Sequence, residues 1–158
     1  MPRRPIGKIR SASGSLVSRS SGRRVSGFGA LIVAIAAVPA WWTLGGGTIP
    51  EISGNAFDSP GAIGFFAALA VLAILVAPEA VGRDLPLDRW PVHLTLVIAA
   101  AVAFIVATTG TAVSAVGSNT PLSSVFGITR APGLWLTLVG LGTWISGVAL
   151  IVDARDDR

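Results

Sequence analysis

The sequence predicts an all-α fold: an integral membrane four-helix bundle preceded by a disordered basic N-terminal tail. Three observations predict it. Only 13% of the 158 residues are charged and 52% are hydrophobic, whereas a soluble domain carries about 25% charged residues. Four apolar stretches are each long enough to cross a bilayer. The basic residues gather on one side of those stretches. The length suits one compact unit and leaves no room for a separate soluble domain.

The tail is residues 1–26, rich in Ser, Arg and Gly, with no acid before Glu51. Such a segment has too little apolar surface to fold alone, so disorder is expected. Its charge should hold it near anionic lipid headgroups, at about 1 kcal/mol per basic residue close to the surface. Within it, "RRVS" ends on Ser26, and a serine after basic residues suits a basophilic kinase. Ser26 is therefore a candidate phosphorylation site, where phosphate would offset local positive charge.

A bilayer core of roughly 30 Å needs about 20 apolar residues of helix. The bundle, residues 27–152, supplies four such spans: about 27–44, 61–81, 91–113 and 133–152. None has a charge in its central part. Pro39 and Pro78 lie near span ends, where a lost backbone hydrogen bond does little damage. Pro91 and Pro132 lie at starts, where proline suits the first helical turn. The first span also follows a basic flank, as a signal peptide would. Trp41 and Trp42 occupy the place where a small-residue cleavage site would lie, so a retained span is expected.

Lys and Arg in short loops mark the cytoplasmic side. Eleven of the twelve fall in the tail, in the loop between spans two and three, or after span four; Arg130 alone lies elsewhere. Both termini are therefore expected in the cytoplasm of a plasma (inner) membrane, with two loops outside and residues 153–158 as a short cytoplasmic tail. Trp41, Trp42 and Trp135 then fall at the outer interface and Trp90 at the inner one, depths that indole rings favour. Gly45, Gly46 and Gly47 read as a plain linker, since no Lys or Ser/Thr follows at phosphate-loop spacing. In the outer loops Asp58 and Arg130 are placed to pair, and Phe57 and Phe126 to meet or dip into the interface.

No ionisable group lies at mid-span, where pumps and intramembrane enzymes place theirs. Glu79 and His93 lie near the inner ends of spans two and three and form a candidate interfacial polar pair. No nucleophile–base–orienter set is visible, and no metal-ligand cluster. Cys is absent. The expected catalytic, metal and cofactor residues are none, and nucleic acid is not an expected partner. The last span is the most patterned: Gly133, Thr137, Gly140, Gly142, Ser146 and Gly147 give it small surfaces on which helix backbones can approach closely.

At "GLWLTLVGLGTWISGVALIV" the chain resembles a loose set of small actinobacterial four-span membrane proteins of uncharacterised function. The matching residues are Pro39, Trp41 and Trp42, then Gly45 to Gly47, then Gly133 to Leu136, within roughly 27–152. The resemblance implies a membrane location and assigns no catalytic residue. The expected function is non-enzymatic: an accessory or scaffold subunit of a larger membrane or cell-envelope complex, with lipid and a membrane protein or a second copy as partners. The alternatives are a holin-like pore-forming oligomer and a small transporter subunit.

Overall fold

The computed structural model describes residues 7–46, 49–82 and 89–156. The described residues are mostly helical. In chain order they form α1 (Gly7–Ala36), β1 (Trp42–Gly46), β2 (Ile49–Gly54), a 3-10 turn (Ala56–Asp58), α2 (Ala62–Val81), α3 (Trp90–Gly117), α4 (Leu122–Phe126) and α5 (Pro132–Asp156). The four long helices close a ring in which α1 lies beside α5 and α2, and α3 beside α2 and α5. Two helical stretches, Trp90–Gly117 and Pro132–Ala154, are long and apolar enough to cross a membrane, and Ala62–Pro78 is apolar but shorter. Two of the four predicted spans thus meet that test among the described residues.

The tightest pairing is α1 against α5. Its basis is a run of small residues seven apart on both helices: Gly22, Gly29 and Ala36 on α1, Gly133, Gly140 and Gly147 on α5. A Cβ on Gly147 would lie 2.6 Å from Ser26 Cα; one on Gly29, 2.6 Å from Trp144 Cα; one on Gly133, 2.8 Å from the Ala36 carbonyl. The order of these contacts makes the pair antiparallel. Backbones this close require residues without side chains, and dispersion contacts then hold the helices.

Here the structure corrects the expected tail. Residues 7–26 are helical, and Gly22 and Ser26 are part of the α1–α5 contact rather than lead-in. Packing on α5 fixes the stretch from Gly22 onward. Adding residues to an existing helix costs far less than starting one, so the backbone continues as helix back to Gly7.

The first span also ends earlier than expected. Pro39 cannot continue a helix, since it has no N–H to donate, and α1 stops at Ala36. The chain then forms a two-stranded antiparallel hairpin in which Trp42 pairs with Gly54, Thr43 with Ser53 and Leu44 with Ile52. The register shifts between Leu44 and Gly46. Gly45 and Gly46 sit there at φ of 84° and 109°, values that favour glycine. Gly45 and Gly46 thus sit at an irregularity inside a strand pair rather than in a plain linker, and Gly47 lies outside the described residues. Two strands therefore join an otherwise helical fold.

α2 ends where Gly82 adopts φ 69° and returns its N–H to the Pro78 carbonyl, the usual left-handed helix stop. α3 opens with Pro91 in its first turn, as expected, but runs on to Gly117. The main core lies between the four helices. Trp144 is fully buried there among Ala30, Ala34, Ala67, Ala68, Val71 and Val97. Small alanines on α1 and α2, with Ala100 on α3, make room for one indole. Outward, the same helices carry Phe66, Val76, Ile98, Val102, Ile105, Val139 and Ile145, all exposed.

Candidate functional site

The hairpin end of the bundle holds the most elaborate polar construction among the described residues. It is built around Arg130. The guanidinium donates from Nη1 to the Ser124 carbonyl at 3.0 Å and from Nη2 to the Gly45 carbonyl at 3.1 Å. Glu51 stands 4.0 Å from Nη2. The Arg130 carbonyl accepts from the buried Thr43 hydroxyl at 2.6 Å. One residue therefore ties the hairpin to α4 through both its backbone and its side chain. The sequence reading paired Arg130 with Asp58 instead. Asp58 is engaged locally: its Oδ2 accepts from the Asn55 N–H at 2.8 Å, while Asn55 Oδ1 accepts from the Phe57 N–H at 2.9 Å. This reciprocal cap satisfies donors at the start of the 3-10 turn and holds Asp58 away from the arginine.

The two tryptophans after α1 divide their roles. Trp41 is 4% exposed. Its indole N–H donates to the Ala36 carbonyl at 2.9 Å, and its ring meets Phe104 edge-on at 5.6 Å between centroids. It closes the end of the bundle above a second small core of Ala37, Ala56, Ala107, Ala131 and Leu134. The predicted interface anchor Trp41 is thus a core residue. Trp42 is half-buried and lays its ring on Gly54 across the hairpin. Trp135 is 40% exposed and donates to the Phe126 carbonyl at 2.8 Å. Trp90 is half-buried at the start of α3. Phe57 and Phe126 do not meet: Phe57 stacks edge-on with Phe65 at 5.0 Å, and Phe126 packs under Trp41.

The predicted packing face of α5 splits. Gly133, Thr137, Gly140 and Gly147 are buried, but Gly142 and Ser146 are exposed and face the other way. Nothing lies within 4 Å of a Cβ built on Gly142, and the Ser146 hydroxyl returns to the Gly142 carbonyl at 2.8 Å. Ser26 is 0% exposed against Gly147. That burial corrects the expected phosphorylation site, because a kinase needs an accessible hydroxyl and a phosphate would not fit between the two backbones. His93 is buried on the first turns of α3. The Glu79 side chain lies outside the described residues, and with it the predicted Glu79–His93 pair.

Sequence reasoning missed an open groove of about 490 Å³ between the hairpin end and α3. Trp42, Leu44, Asp58, Ser59 and Pro60 form one wall. The other is a face of α3 with Val106, Ala107, Gly110, Thr111, Ser114 and Ser118. Small residues at 107, 110, 111, 114 and 118 share one side of a 3.6-residue helix, so the signal was present in "AFIVATTGTAVSAVGS". Thr111 and Ser114 return their hydroxyls to the carbonyls of Ala107 and Gly110 at 3.0 Å each. The α3 wall is therefore less polar than its composition suggests. The size falls in the range of about 300–1,000 Å³ found for small-molecule sites. No protein-family model matches this chain, and no curated protein or solved structure matches it.

Proposed function

We propose that the chain is a four-span plasma-membrane protein with both ends in the cytoplasm, acting as a non-enzymatic accessory or scaffold subunit of a larger membrane or envelope complex. The outward face of the bundle carries the membrane part of this reading. The 18-residue apolar window of α3 is only 22% buried, and the large side chains α3 exposes, Ile98, Val102, Ile105 and Val106 among them, are aliphatic. Apolar surface of that extent is unfavourable in water and favourable in lipid. Exposed hydroxyls at Thr95, Thr143 and Ser146 bond back to their own helices, as lipid-facing hydroxyls must. Arg23, Arg24 and Arg89 lie at the end away from the hairpin, and the hairpin end's Arg130 is tied to carbonyls, which supports the assigned orientation.

The subunit role rests on what the bundle presents. Its strongest small-residue seam is consumed internally, Trp41 closes the bundle axis at the hairpin end, and a second small step on α5, Gly142 and Ser146, is turned outward. A pore-forming oligomer needs a polar face to line its lumen, whereas the exposed hydroxyls of Thr95, Ser114, Thr143 and Ser146 are spent on carbonyls of their own helices.

Two experiments test this. The chain has no native cysteine, so single cysteines report topology cleanly. A cysteine at Ser53 should react with an impermeant maleimide added to intact cells, and one at Arg89 only after lysis. The reverse pattern, or equal labelling, would overturn the orientation. Extraction in mild detergent should yield a complex of defined stoichiometry with a different polypeptide. Recovery solely as homo-oligomers that release dye from liposomes would replace the subunit reading with pore formation.

A further inference from the structure

We propose that the groove between the hairpin end and α3 seats one membrane lipid with an amine-bearing head group, its chain along α3 and its ammonium at Asp58. The proposal rests on the membrane placement above but not on the subunit role. Three observations carry it. The groove combines apolar walls with one charge: Leu44, Trp42, Val106 and Ala107 are apolar, and Asp58 is the one charged residue lining it among the described residues. A partner with one apolar body and one positive head matches that combination of surfaces. Asp58 is exposed and held in place by the Asn55 cap, so its charge is presented without a further ordering cost. Arg130, the basic residue at the hairpin end among the described residues, is committed to the Gly45 and Ser124 carbonyls and faces Glu51.

The α3 wall explains why the groove stays open. A Cβ added to Gly110 would have nothing within 4 Å, and Ala107, Thr111 and Ser114 around it are short. A side chain at 110 would therefore project into the groove. Glycine there costs helix stability, roughly 1 kcal/mol against alanine in water. An unobstructed channel for an acyl chain is what that cost secures.

Trp42 lines the groove and reports on it. The full chain is reconstituted into phosphatidylglycerol vesicles containing a rising fraction of dibrominated phosphatidylethanolamine or dibrominated phosphatidylglycerol. The Trp42 contribution is the difference between the native chain and W42F. Half-maximal quenching of Trp42 should need about threefold less of the amine-bearing lipid than of the anionic one, in keeping with a single exposed ion pair. D58N keeps the cap acceptor and should erase that preference. G110L should return quenching to the level set by bulk lipid for both head groups. Equal quenching by the two lipids in the native chain, or a preference that survives D58N, would overturn the proposal. So would a Trp42 shielded from both lipids, which would mean that protein covers the groove. Cysteine labelling reads membrane placement separately, so failure here is distinguishable from failure there.

Discussion

Gly147 and Gly142 lie five residues apart on α5, and the fold assigns them opposite tolerances to one methyl group. A Cβ at Gly147 would sit 2.6 Å from Ser26 Cα, whereas one at Gly142 has nothing within 4 Å. Ordinary contact between carbons is about 3.5–4.0 Å, so G147A must part α1 from α5 by about 1 Å at that layer. The obstacle is backbone, and no rotamer can relieve it. A gap of 0.5–1 Å forfeits roughly a quarter to a half of each dispersion contact it opens. Overpacking of this kind costs about 1–3 kcal/mol, so G147A should lose about 2 kcal/mol. For a chain of this size that is a fall in Tm of about 4–8 °C. G142A should be neutral or stabilising by up to about 1 kcal/mol, since alanine is the better helix former. The assay is thermal unfolding in mild detergent, followed by the emission of buried Trp144. Adding G29A to G147A should cost less than the two singly, because helices already parted do not clash twice. If G142A destabilises as much as G147A, the α1–α5 seam is misassigned.

Other perturbations follow from the same contacts. S26A should be neutral or stabilising, because the buried Ser26 hydroxyl has no hydrogen-bond partner among the described residues and such groups cost about 1–3 kcal/mol; S26D should abolish the folded state, and unfolding curves of both variants check this. R130A should release the hairpin from α4, read as faster proteolysis after residue 46 with the helical signal retained, while E51Q should change stability by only about 0–1 kcal/mol, as expected of an exposed pair. W41F should lower stability by about 1–3 kcal/mol through the orphaned Ala36 carbonyl, more than W135F, whose donor is at the surface and has water as an alternative. N55A should loosen the 3-10 turn by about 0.5–2 kcal/mol, the usual worth of such a cap, seen as faster amide exchange at Phe57.

The helical class and the apolar stretches were legible because hydrophobic run length is read directly from residue order. Helix ends were less so. Starting the first span at Gly27 followed the onset of apolar residues, but the contact with α5 begins at Gly22, where the residues are small rather than apolar. The seven-residue recurrence of Gly22, Gly29 and Ala36 opposite Gly133, Gly140 and Gly147 was visible, yet a hydropathy pattern gives glycine no weight. The split of the α5 face was also within reach. At 3.6 residues per turn, Gly142 and Ser146 fall on the side opposite Gly140. The hairpin was hidden for a different reason: its strands carry three glycines and a proline, and its stability comes from Arg130, 85 residues from Gly45 in sequence. Long-range polar ties of that kind leave no local trace. The fate of Trp41 was ambiguous in principle, since an indole beside a helix end serves equally as a lipid anchor or as a plug.

That plug bears on function. Where α1 stops at Ala36, its last carbonyls would face an open bundle end. Trp41 folds back, satisfies one of them and stacks on Phe104 of α3, so the chain seals its own end. Farther in, Trp144 fills the axis between alanines on the neighbouring helices. A polar species moving through a single copy would have to displace two buried indoles. Conduction between copies would need polar surfaces facing one another, and the exposed faces of α2, α3 and α5 are dominated by aliphatic and aromatic residues. The surfaces this bundle leaves for interaction are its exposed apolar helix faces, its outward Gly142–Ser146 step and the groove beside Asp58. On the proposed subunit reading, each is a surface to be bound alongside rather than passed through.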